Sequence, residues 1–236
     1  MITSKDNDQI KHILKLQTKK HRDLHQAFLV YGEHAIEEAI KQGFEIDIYT
    51  SDPNREGTLI SESLMKQLSL TDSPLSIIGI VKKKEPQPFS NRILMLDDVQ
   101  DPGNVGTLIR SAVGFGFDTI IASPNSADFY NEKTIRATQG NLFYANLVRQ
   151  PLIETLTSLK EQGYKVFTTA LGQTATNIKD VSLPEKCVLV LGNEGAGVSK
   201  EVMAISDQLV YIQTRDIESL NVAMAGSIIM YEWQVI

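Results

Sequence analysis

RILMLDDVQDPGNVGTLIRSAVGFGFDTIIAS, residues 92–123, decides the fold class. RILMLDDV is an apolar run of strand length. GNVGTLIRSAVGFG then reads as a helix with glycines at its start, and DTIIAS as the next strand. Downstream the alternation continues. NEKTIRATQG reads as helical, LIETLTSLKEQG as an amphipathic helix stopped by Gly163, YKVFTTA and CVLVLG as strands, and SLNVAMAGSIIMYEW as a helix rich in small residues. Strands alternating with helices of this length predict a parallel sheet with helices on both faces. Upstream, KKKEPQPFSN is polar, holds two prolines and lacks periodicity, so it reads as a linker. Before it lies a small α/β unit. Asn7 or Asp8 caps a helix through IKHILKLQTKK. AFLVYG is a strand, EHAIEEAIKQG a helix ended by Gly43, FEIDIYT a strand, SESLMKQLS a helix and SIIGIV a strand. The expected division is a first domain over 1–84, a linker over 85–90 and a second domain over 91–236.

Composition narrows the class. Of the 236 residues, 42% are hydrophobic and 22% charged, which fits a soluble globular protein. No apolar run approaches the roughly 20 residues needed to cross a bilayer, and MITSKDNDQIKH lacks the apolar core of a signal peptide. A cytoplasmic location is expected. The one cysteine, Cys187, lies in the apolar run CVLVLG and reads as a buried structural thiol. The net charge of −6 argues by itself against a nucleic-acid partner. Its distribution argues the other way. Lys5, Lys11, Lys15, Lys19, Lys20 and Arg22 stand against only Asp6 and Asp8 in the first 22 residues, and Lys82, Lys83 and Lys84 form a second cluster. These read as solvated surface or as a local phosphate-binding face. His12, His21, His25 and His34 are too scattered for a metal site, and no metal is expected.

Three motifs carry the chemistry. The first, DDVQDPGNVGTLIRSAVGFG (97–116), sits where a strand ends and a helix starts, the usual place for a ligand in a parallel sheet. Gly103 and Gly106 permit close backbone approach, Asn104 can cap the helix or orient a neighbour, and Arg110 lies one to two turns in. The dinucleotide pattern GxGxxG is absent, which argues against an oxidoreductase. The second, LVLGNEGAGVS (189–199), breaks a buried strand into a loop whose Gly192, Gly195 and Gly197 can wrap a flat ligand with amide groups, or simply make a tight turn. It lacks the Lys-Ser or Lys-Thr of a P-loop, and its Glu194 disfavours phosphate. In the third, YIQTRDIESLNVAMAGSIIMYEW (211–233), Ser219 or Asn221 begins a helix whose Ala223, Ala225, Gly226 and Ser227 allow tight packing.

In this order, N-x-G-x-x-x-R after a strand, then LGNEGxG, then SLNV, the three motifs resemble the SpoU/TrmH family of RNA 2′-O-ribose methyltransferases, within the SPOUT superfamily. The likeness covers residues 91–236. The opening ITSKDNDQIKHILKLQTKKHRDLHQAFLVYGEHAIEEA is similar to the RNA-binding substrate domain of many members, which has a ribosomal-protein-like sandwich fold. The resemblance implies a C-terminal trefoil knot, a homodimer, S-adenosylmethionine as cofactor and structured RNA as substrate, large-subunit ribosomal RNA ahead of transfer RNA. It implies cofactor contacts from Thr169, Ala170 and Leu171, from Leu191, Gly192, Asn193, Gly195 and Gly197, and from Ile212, Gln213, Ser219, Leu220 and Asn221. It implies catalytic roles for Arg110, as general base or as an electrostatic clamp on the developing alkoxide, for Asn104, which orients Arg110 or the ribose, and for Ser219 and Asn221. Glu194 is implied to hold Arg110 or the partner subunit. Lys5, Lys11, Lys15, Lys19, Lys20 and Arg22 would meet RNA phosphates. Three positions depart from the family pattern. Tyr31 stands where a Glu is common before the glycine, Gln213 where a Pro often follows Ile212, and Arg215 where a small residue is usual. The competing reading is a non-catalytic RNA-binding or ribosome-assembly protein; the presence of Asn104, Arg110, Glu194, Ser219 and Asn221 favours catalysis.

Overall fold

The computed structural model describes residues 1–70, 75–171, 175–217 and 219–234. The chain forms two compact units, Met1–Glu85 with Tyr130–Phe143, and Pro86–Phe129 with Tyr144–Ile236. The segment Tyr130–Phe143, which the sequence reading places within 91–236, clusters with the first unit.

In chain order the first unit holds α1 (Asp8–Leu16), α2 (Lys19–His25), β1 (Ala27–Tyr31), α3 (Glu33–Lys41), β2 (Ile46–Thr50), β3 (Thr58–Leu59), α4 (Glu62–Leu68) and β4 (Ile77–Lys82). Its sheet has the order β1-β4-β2-β3, with β4 antiparallel to both β1 and β2. Asn7 caps α1 by accepting from Gln9 N, and Ile10, Ile13 and Leu16 bury one stripe of that helix. The single helix expected through IKHILKLQTKK is two. Thr18 is extended, α2 restarts at Lys19, and Arg22 explains the break. Its guanidinium donates to Leu16 O at 3.1 Å and Gln17 O at 2.9 Å, so the terminal carbonyls of α1 are met by a side chain and not by further helix.

The second unit holds β5 (Arg92–Asp97), α5 (Pro102–Gly114), β6 (Thr119–Ala122), then, after α6 (Glu132–Thr138) of the first unit, β7 (Asn146–Arg149), α7 (Leu152–Glu161), β8 (Lys165–Thr169), β9 (Thr176–Asn177), β10 (Cys187–Gly192), α8 (Lys200–Ile205), β11 (Gln208–Tyr211) and α9 (Val222–Glu232). Its seven strands run in the order β7-β6-β5-β10-β8-β11-β9, every pair parallel. Alternation assigns the two faces. Ile93 and Met95 of β5 and Val188 and Val190 of β10 pack with Leu152, Leu156 and Leu159 of α7 and Val202 of α8. On the other face α9 is so close that a Cβ on Gly226 would lie 2.4 Å from Leu108 Cδ2 of α5 and 2.5 Å from Leu191 Cδ1 of β10. Cys187 is fully buried and burial pushes its thiol up to about 11, as expected of a structural cysteine.

Two glycines differ in what surrounds them. At Gly192 a Cβ would lie 2.2 Å from Gly197 C and Val198 N, which are backbone and cannot yield. At Gly226 it meets the ends of two leucines, which can. Gly226→Ala is expected to cost about 1–3 kcal/mol by overpacking, and Gly192→Ala more than about 3 kcal/mol, beyond the usual range for a point change. Urea unfolding at unchanged slope measures both.

Candidate active site

The three motifs meet at the carboxyl ends of the central strands. Asp97 and Gly192 are register partners at the ends of β5 and β10, so the first two motif loops leave the sheet side by side. Asp101 caps α5, accepting from Asn104 N at 3.0 Å, and Pro102 at the first turn needs no donor there. Asn104 thereby sits in the first turn with its side chain free to link loops. Its Nδ2 donates to Glu194 Oε1 at 2.9 Å, and its Oδ1 accepts from Asn221 Nδ2 at 3.0 Å. Asn221 in turn caps α9 through Ala223 N and Met224 N. One residue from each motif thus joins a continuous chain, Glu194–Asn104–Asn221.

Glu194 is the acceptor end of that chain. It also takes Gln100 N at 3.2 Å and Asp101 N at 3.1 Å. Burial alone would raise its pKa, but the Asn104 side chain and the backbone amides of Glu194 itself, Asp101 and Gln100 outweigh it, and the carboxyl stays below its ordinary value. Glu194 was expected to hold Arg110 or the partner subunit; within the chain its partners are the start of α5 and Asn104, not Arg110. Arg110 is exposed and, among the described residues, has no hydrogen bond or ion pair. Its neighbour Ser111 hydrogen-bonds Ser227 of α9 at 2.7 Å, so Arg110 stands beside the α5–α9 seam.

The glycine loop takes the second of its two expected forms, a tight turn. Asn193 and Gly197 exchange backbone hydrogen bonds at 3.0 and 2.9 Å, and the amides of Gly195 and Ala196 donate to Asn193 Oδ1. Those amides brace the turn and are not offered to a ligand. The Leu191 side chain is buried against α9. Beside this turn lies the junction of three adjacent strand ends. β10, β8 and β11 lie side by side, Thr169 Oγ1 donates to Val190 O at 3.2 Å, and Ala170 N donates to Val210 O at 3.0 Å. Thr169–Leu171, Gly192–Gly197 and the stretch after Tyr211 therefore leave the same edge of the sheet. Gln213 accepts from Asn177 Nδ2 at 3.3 Å, Leu220 is half-buried, and Ser219 is exposed.

Sequence reasoning missed the acidic pair that fixes these loops. Asp97 Oδ2 accepts from Ser199 N at 2.8 Å, anchoring the start of α8. Asp98 is left-handed at φ 57°, binds Ser123 and Asn125 through its carboxylate and accepts Asn193 Nδ2 at 2.9 Å through its carbonyl. The Asp-Asp pair closing a buried strand was the available signal.

In the first unit Lys5, Lys11, Lys15, Lys19 and Lys20 are exposed, as a phosphate-binding role requires. Arg22 departs from that set: it is 6% exposed and closes α1. Lys82, Lys83 and Lys84 are engaged by Glu45, Asp23 and Gln42 O. His12, His21 and His25 are nearer than the sequence suggested, with ring centroids 4.8 and 5.9 Å apart. Even so, no group of metal-ligating side chains occurs among the described residues.

Residues 91–231 match the SpoU rRNA Methylase family, and residues 7–79 an MRM3-like substrate binding domain. The chain belongs to the SpoU rRNA methylase family. It is 35% identical, over 98% of its length and 97% of the relative's, to the Bacillus subtilis 23S rRNA (guanosine(2553)-2′-O)-methyltransferase RlmP. It superposes with TM-score 0.87 on the AdoMet-bound rRNA methyltransferase from Sinorhizobium meliloti, at 28% identity, covering 98% of this chain and 95% of that one.

Because the Glu194 carboxyl is held below its ordinary value of 4.5, its contacts add stability above that pH and lose it as pH falls through the folded value. Glu194 is exposed, so the contribution is below about 1 kcal/mol. Glu194→Gln is expected to lower the melting temperature at neutral pH, with the gap to wild type closing below pH 4.5, in a series of thermal melts against pH.

Proposed function

We propose that this chain methylates a ribose 2′-hydroxyl of large-subunit ribosomal RNA, working as a knotted homodimer. The reaction class is that of its family, RNA 2′-O-methylation with S-adenosylmethionine. The observation that carries the site assignment is the Glu194–Asn104–Asn221 chain, which ties the three motif loops together at one end of the sheet. The likeness to a 23S rRNA enzyme over almost the whole length of both chains, substrate-binding region included, supports ribosomal over transfer RNA. No helix of the described residues is long and apolar enough to cross a membrane, in keeping with work on ribosomes in the cytoplasm.

The junction of the β8, β10 and β11 ends fits a flat, bent donor, with Thr169, Ala170, Leu171, Gly192, Ile212, Gln213, Ser219 and Leu220 as its walls. Bound there, S-adenosylmethionine supplies a methyl group on an electrophilic sulfonium. The protein's task is to align the hydroxyl and ease its loss of a proton. The guanidinium of Arg110 offers N–H donors and no acceptor, so it acts as an electrostatic clamp on the developing alkoxide and the neighbouring phosphate, not as a base. Asn104 and Asn221 hold the start of α5, and with it Arg110, in register with the donor loops. Ser219, exposed after the third strand end, completes the site toward substrate.

The dimer is supported by α9. Met224, Ile228 and Tyr231 are exposed at helical spacing and form one apolar stripe. Arg110 beside the α5–α9 seam would then face the partner's donor loops. The knot is supported by chain order: β10 enters the sheet between β5 and β8, and α9 returns against α5 and β10.

Arg110→Ala is expected to keep donor affinity and lower methyl transfer by about 100-fold or more. Mapping of ribose methylation in ribosomal RNA should find one site lost on deletion of the gene and not restored by this variant; restoration would remove Arg110 from the mechanism. Met224→Asp is expected to shift the protein from dimer to monomer in sedimentation velocity.

A further inference from the structure

A cavity lies wholly inside the first unit. Its volume is about 180 Å³, and it is lined by Gln17, Arg22, Tyr31, Tyr130, Asn131 and Glu132. It is smaller than the roughly 300–1,000 Å³ of ordinary small-molecule sites, so it suits one planar ring. The lining is polar and unusually well fixed. Arg22 is 6% exposed and tied to the end of α1. Tyr130 is held between Phe28, at 4.6 Å between centroids, and Lys83, whose Nζ lies 4.5 Å from its ring centre. Asn131 caps α6 through Lys133 N, and Glu132 pairs with Arg136 at 3.1 Å.

Against that fixed wall one group stands out. The Tyr31 hydroxyl oxygen is buried and has no hydrogen-bond partner among the described residues. Gln17 lies near enough to oppose the effect of burial on the hydroxyl, but the two do not meet in hydrogen-bond geometry, and the Gln17 amide nitrogen donates instead to Leu68 O at 3.1 Å. Burial pushes the Tyr31 hydroxyl up to about 12, so it is a neutral donor at any working pH. Buried hydroxyls are almost always paired; an orphan lining a cavity points to a partner supplied from outside. Tyr31 is also one of the positions at which the sequence departs from the family pattern.

We propose that this cavity receives one unpaired, amino-bearing nucleobase of the RNA substrate, with the Tyr31 hydroxyl as a donor to its edge. The inference rests on the RNA substrate of the preceding section and adds how that RNA is held. The chemistry selects a base over a phosphate, because Glu132 places a carboxylate in the wall. With Gln17 Nε2 engaged, Gln17 Oε1 and the Glu132 carboxylate are acceptors for exocyclic amino protons, and Tyr31 supplies the matching donor. Uracil, with carbonyls on both sides of its one N–H, fits this wall worst. The surroundings fit RNA as well. Lys11 and Lys15 lie on α1, and Lys19 and Lys20 open α2, the two helices whose junction supplies Gln17 and Arg22; their exposed ammonium groups can meet flanking phosphates. Splaying an unstacked base into a pocket of aromatic and guanidinium planes is how single-stranded RNA is read.

The test uses the full chain without cofactor and short labelled single-stranded homopolymers of A, G, C and U. Tyr31→Phe is expected to weaken binding of at least one amino-bearing probe by about 3- to 10-fold, the loss of one hydrogen bond. The slope of affinity against salt should stay unchanged, since phosphate contacts are untouched. The RNA-free variant should melt at or above the wild-type temperature, because the change deletes an unpartnered polar atom. Unchanged affinity for all four probes overturns the proposal, and so does a fall in the melting temperature of the RNA-free variant, which would show the hydroxyl already satisfied within the fold. No methyl donor is present, so failure here leaves the methyl-transfer reading standing, and failure of methyl transfer leaves this result intact.

Discussion

The second unit depends on Asn104 being able to face two ways. Its amide nitrogen gives to Glu194 and its amide oxygen takes from Asn221. Only a side chain with a donor and an acceptor on one carbon does this; Asp would repel Glu194, and Leu would leave both partners unmet. Through that residue the start of α5, the glycine loop and the start of α9 become one rigid corner. The backbone crossing at Gly192 sets the same corner from below, where Gly197 and Val198 leave no room for a side chain. Most of the loop's amides are spent on holding its own shape through Asn193. A pre-shaped loop suits a site whose task is alignment, since little order remains to be imposed when ligand arrives.

The separation of labour between the two units follows from their surfaces. In the second, the site is assembled from strand ends and helix caps, with its one unpaired cation, among the described residues of the three motifs, at Arg110. In the first, exposed lysines cluster at Lys5 and on α1 and α2, at Lys11, Lys15, Lys19 and Lys20, while Arg22, Lys82, Lys83 and Lys84 are drawn into structural contacts. An acidic protein can hold RNA on such terms, because phosphates respond to charge within about 10 Å and not to the total.

Elements with strong periodicity were legible in the sequence. The β5–α5–β6 run, α7, β8, β10 and α9 stand where residues 92–123, 152–163, 164–170, 187–192 and 219–233 placed them, and Asn7 and Asn221, each one of two cap candidates, do cap. What was not legible depended on distant partners. The break between α1 and α2 is set by Arg22 reaching back to Leu16 and Gln17. The short strands β7 and β11 carry too few apolar residues to stand out and exist because a neighbour's edge is open to them. The pairing of Tyr130–Phe143 with the first unit rests on contacts such as Phe28 with Tyr130 and Phe143, some 100 residues apart in sequence. In the site, residue types were readable and their partners within the chain were not: Glu194 was identified but assigned to Arg110 or the partner subunit, when the free amides at the start of α5 were the nearer need.

The central claim is that the three loops at the ends of β8, β10 and β11 form one receptacle for a methyl donor. Calorimetric titration of the full chain with S-adenosylhomocysteine tests it most directly. Uptake of one molecule per chain is the predicted result, and the absence of any saturable binding would contradict it.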